Sequence, residues 1–182
     1  MKFGAILIDP PWGYDTYSKK GQVPARGKQP YATMTLDQIA ELPIADLLDK
    51  NGCVFLWESN SLPCAAEFLC RKWGLRYVVG NIFIWRKLTK DGSRTRIGMG
   101  KWTRYESESV ALFTRGKPKR LSCGVRQIID APRREHSRKP DEIYDRIEAL
   151  VGGPYLEMFA RQRRKGWSAL GDEIEKFAEV TI

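Results

Sequence analysis

The stretch Phe3-Gly4-Ala5-Ile6-Leu7-Ile8-Asp9-Pro10-Pro11-Trp12 is a short apolar run that stops at an acid, two prolines and a tryptophan. A continuous apolar run of this length reads as a buried strand. The prolines then end it. Each fixes its own φ, lacks an N–H and pushes the preceding residue into an extended conformation. The Asp9 carboxylate and the Pro10 carbonyl are therefore expected to stand as acceptors facing a ligand. Trp12 adds a flat surface, and stacking on such a surface contributes about 1–3 kcal/mol per base. Two acceptors beside a flat ring are the groups needed to hold the exocyclic amine of a nucleobase. The competing reading is a stiff turn with a core tryptophan beside it, and the rest of the chain decides between them.

Working outward, apolar runs alternate with amphipathic ones. Gly52–Trp57, Arg76–Arg86, Ser107–Thr114, Arg126–Ala131 and Tyr155–Ala160 read as further strands. Thr35–Leu42 and the span from Ser61 or Leu62 to Trp73 read as helices, the second stopped by Gly74. Pro140–Leu150 is a third helix, with proline at its start and Gly152-Gly153 after its end. Trp167 onward is expected to be short and irregular, with room for a small helix or strand. Continuous apolar strands separated by helices predict an α/β fold with a mainly parallel sheet. At 182 residues the whole span 1–182 is expected to form one domain.

The chain carries 31 Lys and Arg against 22 Asp and Glu, a net charge of +9 that suits a polyanionic partner. Its cysteines, Cys53, Cys64, Cys70 and Cys123, form no Cys-x-x-Cys pair, and His136 is the one histidine. No metal site is therefore expected. Scattered thiols fit a reducing, cytoplasmic setting. The N-terminus leads directly into a strand, so no signal peptide is expected. No apolar run approaches the roughly 18 residues that span a membrane, so no membrane partner is expected either.

In open α/β sheets ligands bind beyond the carboxyl ends of strands. Asp9 stands at one such end. The end of Tyr155–Ala160 is another, and it offers Glu157, Phe159 and Arg161. Glu157 and the downstream pair Asp172-Glu173 are candidates to accept from ribose hydroxyls. Equally, Glu157 is a lone buried acid paired with Arg161, and Asp172-Glu173 a solvated tail. Lys139, just before a proline-started helix, lies where the carboxylate of a cofactor would be met. Plain helix capping by Ser137 or Asp141 explains the same residues. His136 has no nucleophile pattern beside it, so no triad is expected. Two long polar stretches, Gly13–Pro30 and Leu88–Tyr105, interrupt the alternation, and the second holds five Lys or Arg and three glycines. Arg94, Arg96, Lys101 and Arg104, with Arg115, Lys117, Lys119 and Arg120, are expected to hold phosphates.

Asp9-Pro10-Pro11-Trp12, Tyr31-Ala32-Thr33-Met34-Thr35, Phe55-Leu56-Trp57, Gly98-Met99-Gly100-Lys101-Trp102, Ser137-Arg138-Lys139-Pro140-Asp141-Glu142 and Glu157-Met158-Phe159-Ala160-Arg161 occur in that order. Together, over residues 3–173, they resemble the adenine-N6 methyltransferase family named for the seventy-kilodalton catalytic subunit of the eukaryotic mRNA methyltransferase. The small bacterial and phage members are the most similar in style. The resemblance implies a Rossmann-like fold that uses S-adenosylmethionine, with the catalytic motif preceding the cofactor-binding strand in a permuted, beta-class order. It implies that Asp9, Pro10, Pro11 and Trp12 hold the target adenine, and that Asp9 also meets the methionine end of the cofactor. Lys139 resembles the lysine at the cofactor carboxylate, and Arg161 the arginine at its ribose, with Glu157 as partner. Phe159, Asp172 and Glu173 complete the implied cofactor set. Trp12, Tyr14, Lys101, Trp102, Arg104 and Glu108 form the implied substrate set, and the loop from Lys87 to Tyr105 resembles one that closes over substrate.

Three departures accompany the resemblance. The large members carry a cofactor-adenine contact upstream of the catalytic motif, which this chain is expected to lack. Asp172-Glu173 stands in place of an Asn-Gln pair, and Arg163-Arg164 in place of a His-Asn pair. No appended zinc finger or partner-binding region is expected. The compact form resembles members that favour DNA over RNA, and pairing with a second copy or a related subunit is left open. A cytosine-N4 enzyme is disfavoured by Asp9, where such enzymes commonly carry serine. A non-catalytic nucleic-acid-binding partner is disfavoured by the intact Asp9–Trp12, Lys139 and Arg161.

Overall fold

The computed structural model describes residues 1–13, 32–62, 64–98, 102–135 and 137–177. Tyr14, Lys101, His136 and most of the stretch Gly13–Pro30 lie outside them. In chain order the elements are β1 (Phe3–Ile8), α1 (Leu36–Ala40), α2 (Ile44–Leu47), β2 (Leu48–Trp57), α3 (Ala65–Lys72) and β3 (Arg76–Leu88). They continue with β4 (Ser107–Thr114), β5 (Ile128–Pro132), α4 (Glu142–Leu150), β6 (Tyr155–Met158) and β7 (Trp167–Leu170). One mixed sheet orders the strands β5-β3-β4-β2-β1-β6-β7. β1 sits inside it, parallel to β2 on one side and to β6 on the other. The strand that leads into Asp9 and the strand bearing Glu157 are thus direct neighbours despite their separation in sequence.

The period of two along each strand divides the core between the two faces. Ile6, Ile8, Val54, Leu56, Ala111 and Phe113 face one way and pack with Ile39 of α1 and Leu69 of α3. Ala5, Leu7, Phe55, Trp57, Val110 and Leu112 face the other way and pack with Ile143 and Ile147 of α4. Because both faces are covered, the central strands read as unbroken apolar runs. Thr35 opens α1 with a capping box, its hydroxyl accepting from the Gln38 N–H and the Gln38 side chain accepting from the Thr35 N–H. Gly74 ends the turn after α3 at φ +64°, a conformation glycine adopts without strain. At Gly4 the requirement is space, since a Cβ there would come 2.5 Å from the Gly152 carbonyl oxygen.

The structure amends the sequence-based outline at six elements. β2 begins at Leu48 and β3 runs on to Leu88, so both strands are longer than their apolar cores. α2 was not foreseen, and α3 starts at Ala65 rather than at Ser61 or Leu62. Trp167–Leu170 is a true edge strand, parallel to β6. β6 stops at Met158, because Phe159 takes a left-handed φ of +62° that no strand continues.

Direction is the consequential difference. β4 is antiparallel to both β2 and β3, whereas all the other strands run the same way. Its first residues therefore lie at the carboxyl end of the parallel strands, and Glu108 pairs with Trp85 there. Its far end, roughly 20 Å away at about 3.3 Å per residue, lies at the opposite edge of the sheet. Arg115, Lys117, Lys119 and Arg120 follow that far end and do not join the ligand-binding end, contrary to the phosphate role expected of them. Arg115 instead donates to the carbonyls of Ala45 and Leu48, at 2.7 and 3.2 Å, closing the end of α2.

Phe55 lies fully buried and stacked 6.1 Å from Phe83, in the centre of the sheet face under α4. Phe55→Ala is expected to cost about 3–5 kcal/mol of stability, read as a lower midpoint in urea denaturation.

Candidate active site

Asp9 and Pro10 leave β1 at the carboxyl edge and enter a cavity of about 670 Å³. The proline pair makes a tight turn, in which the Trp12 N–H donates to the Pro10 carbonyl at 2.8 Å. The Pro11 carbonyl accepts from the Met34 N–H, also at 2.8 Å. The Pro10 carbonyl, expected to face a ligand, thus already has one local partner. Among the described residues this is the one bond to the Pro10 carbonyl, whose second lone pair is left for a ligand. Trp12 is buried at 7% exposure and belongs to the core under α1, with part of its surface lining the cavity. Both readings of that tryptophan, core residue and cavity wall, hold at once.

Lys139 organises the charged wall. Its Nζ lies 2.8 Å from Asp9 Oδ2 and 3.4 Å from Glu108 Oε2. Lys87 meets the other oxygen of Glu108 at 2.5 Å. The result is a chain of alternating charges, Asp9–Lys139–Glu108–Lys87, laid along the face that α4 covers. Each ammonium also sits over an indole, Lys139 over Trp57 and Lys87 over Trp85, both 5.3 Å from the ring centre. Burial works against the charge on Lys139, but Asp9 and Glu108 outweigh it and hold the ammonium well above the ordinary lysine range. Burial likewise opposes ionisation of Glu108, and the Lys139 and Lys87 charges overcome it, so its carboxyl titrates below the usual range. The turn that presents Lys139 is clamped by Arg134, which pairs with Asp141 at 2.7 Å and donates to the Lys139 carbonyl at 2.7 Å. Asp141 stands at the N-cap position of α4 without a side-chain capping bond, its carboxylate accepting from Arg134 and Gln162 instead, so the plain capping reading of this segment does not hold.

A smaller cleft adjoins the cavity beyond β6, lined by Asp9, Lys139, Tyr144, Glu157, Phe159 and Arg161 among others. Glu157 accepts from the Tyr144 hydroxyl at 3.0 Å, while Arg161 pairs with Glu173 at 3.3 Å. The expected pairing of Glu157 with Arg161 is replaced by these two contacts. Burial is the main cause that raises the Glu157 carboxyl to about 7; the Tyr144 hydrogen bond opposes it, and the Asp9 and Asp141 charges add to it.

Of the residues singled out from sequence, the structure gathers Asp9, Pro10, Trp12, Arg104, Glu108, Lys139 and Arg161 around the cavity. Glu157 and Phe159 line the adjoining cleft, and Glu173 reaches the site through Arg161. Asp172 is exposed and lines neither. Trp102 stands 99% exposed, outside the cavity that Ile97, Gly98, Arg104 and Tyr105 of the same loop help line. Among the described residues, no cluster of three or more His, Cys, Asp or Glu is placed to hold a metal. Sequence reading missed Lys87 as a partner of Glu108, Tyr144 as a partner of Glu157, and Glu58. Glu58 had a legible signal, since it follows the apolar run of β2 as Asp9 follows that of β1.

A seven-stranded mixed sheet with an acid and two prolines at the end of an inner strand is consistent with a methyltransferase fold. The model of the MT-A70 family matches residues 3–173, and the chain belongs to that family. It is 30% identical over 179 residues to the N(6)-adenosine-methyltransferase catalytic subunit METTL3 of Homo sapiens, covering 96% of this chain and 28% of that protein. The N(6)-adenosine-methyltransferase MT-A70-like protein of Drosophila melanogaster gives 30% over 179 residues, 96% and 27%. The type II methyltransferase M.MunI of a Mycoplasma species is 25% identical over 190 residues, covering 95% of this chain and 78% of that protein. The chain therefore spans about a quarter of the length of the adenosine methyltransferases and most of the type II enzyme.

The raised Glu157 carboxyl sets a pH dependence. A folded state that keeps a proton which the unfolded chain has lost is favoured at low pH. Its contribution is full below the ordinary value of 4.5 and is lost as the pH rises through about 7. Glu157→Gln is expected to flatten the stability profile across that window, relative to wild type, by roughly 3 kcal/mol at most. Urea denaturation at a series of pH values measures it.

Proposed function

We propose that this chain transfers a methyl group from S-adenosylmethionine to the N6 amino group of adenine in nucleic acid, with DNA as the substrate. The observation that carries this reading is the pair of acceptors at the cavity mouth, the Asp9 carboxylate and the free lone pair of Pro10, beside the Lys139–Glu108 chain. An adenine amine donates one N–H to each. Those bonds favour a pyramidal nitrogen and turn its lone pair away from the ring, making a poor nucleophile a usable one.

The residues present suit the cofactor. A lysine ammonium has three donors, and Lys139 spends two on Asp9 and Glu108, leaving one for a carboxylate. Arg161, Glu157 and Glu173 offer the donors and acceptors that ribose hydroxyls require. When bound, S-adenosylmethionine supplies an electrophilic methyl on a sulfonium. The contribution of the chain is alignment and electrostatics: it fixes the amine in line, keeps a negative carboxylate close to the positive centre, and shields both under the cavity rim.

A duplex hides the amine, so the target base leaves the stack or is already unpaired. Arg96, Arg104 and Arg133 line the cavity and make no salt bridge among the described residues, which suits them to phosphates. Such contacts weaken with salt. The choice of DNA rests on the likeness to the type II methyltransferase, 78% of which this chain covers.

The test is methyl transfer from labelled S-adenosylmethionine to single-stranded DNA, duplex DNA and RNA, followed by digestion to nucleosides. N6-methyladenine in DNA, reduced at least about 100-fold by Asp9→Ala, is the expected result. The same product confined to RNA changes the substrate. Transfer that Asp9→Ala leaves intact removes Asp9 from the mechanism, and no transfer to any of the three overturns the reading.

A further inference from the structure

The cavity has a second wall that the mechanism above does not use. Successive residues of β4 point to opposite faces of the sheet. Glu108 joins the charged chain on the α4 face, whereas Ser109, in phase with Ala111 and Phe113, belongs to the face covered by α1 and α3. Glu58 stands there with Ser109. It extends β2 by one residue, its N–H donating to the Ser109 carbonyl at 2.9 Å. The Ser109 hydroxyl in turn donates to Glu58 Oε2 at 2.8 Å. Ser59, Asn60 and Ser61 continue the same polar wall.

Glu58 is unlike the other acids of the cavity. Asp9 and Glu108 are each neutralised by lysine. Among the described residues Glu58 has no cationic partner. One neutral hydroxyl holds Oε2, and Oε1 carries no hydrogen bond among them. Burial accordingly pushes its carboxyl up, with the Ser109 bond partly offsetting this. A partly buried carboxylate without a counter-charge costs stability unless something that enters the cavity uses it. In a cavity otherwise built for a polyanion it repels phosphate, so the group it meets is a base edge. A carboxylate acceptor selects the amino edge of cytosine or adenine, and it is repelled by the keto oxygen that guanine or thymine presents in the major groove.

We propose that Glu58 reads the nucleotide beside the target adenine, its Oε1 accepting from an exocyclic amine, with Ser109 fixing its orientation. The methylated sites then favour adenine or cytosine over guanine or thymine at one flanking position. This rests on the methyltransferase reading given above. Placement on the opposite face from Asp9 and Lys139 assigns Glu58 to a neighbour rather than to the target base.

The experiment methylates a pool of duplex oligonucleotides that carry one adenine with randomised flanks, with wild type, Glu58→Gln and Ser109→Ala, and reads modified sequences. Wild type is expected to show a five- to tenfold preference for amino over keto bases at one flank, about the lower range for a good base contact. Glu58→Gln presents both a donor and an acceptor, so that preference should collapse while the rate on the best sequence stays within about twofold. Ser109→Ala should weaken the preference in the same direction. A wild-type profile without an amino-over-keto bias overturns this proposal, as does an unchanged bias in Glu58→Gln, and both leave adenine methylation standing. Absence of methylation by wild type on every oligonucleotide, single strands and RNA included, overturns the methyltransferase reading and this proposal with it.

Discussion

The Lys139 ammonium lies between the carboxylates of Asp9 and Glu108, and the rest of the site depends on that contact. Three parts of the chain far apart in sequence meet there: the loop after β1, the start of β4 and the turn before α4. Two partly buried carboxylates at such short range repel one another. One buried cation between them offsets that repulsion. Without it, Asp9 would be left as an unpaired, largely buried charge, which typically destabilises a fold by about 3–5 kcal/mol, and Glu108 would keep only Lys87. The two indoles beneath the ammoniums keep water from below and leave the upper side open to the cavity.

The sheet supplies the geometry that makes this contact reachable. A strand delivers one usable residue at its end, and neighbouring strands stand about 4.8 Å apart. Parallel β1, β2 and β6 place Asp9, Glu58 and Glu157 along one edge. Glu108 arrives differently, from the first turn of an antiparallel strand. That single reversal also removes Arg115, Lys117, Lys119 and Arg120 from the ligand-binding end, although their charges read in sequence like those of Arg96 and Arg104.

Much of the fold was legible because its local signals agree. The apolar runs Phe3–Ile8 and Ser107–Thr114 coincide with β1 and β4, and Gly74 ends its helical turn where it was expected to. The place of Asp9 at the cavity was legible because prolines after a buried strand leave few other conformations. What misled was pairing. Glu157 and Arg161 lie four residues apart near one strand end, yet the left-handed Phe159 turns the chain between them. Tyr144 and Glu173 take up the two partners instead. Trp102 looked like part of the site because its neighbours are, and it stands in solvent.

The sequence by itself determined the strands, the α/β class, the family and the acid at the end of β1, because hydrophobic period and proline stereochemistry act over a few residues. Only the tertiary structure decided strand direction, and with it which charges share an edge. It also decided that Lys139 bridges two acids, that the Pro10 carbonyl already accepts from Trp12, and that Glu58 lines the cavity with no counter-charge among the described residues. These are matters of distance across the sheet, and a run of residues encodes distance only through the pairing that folding selects.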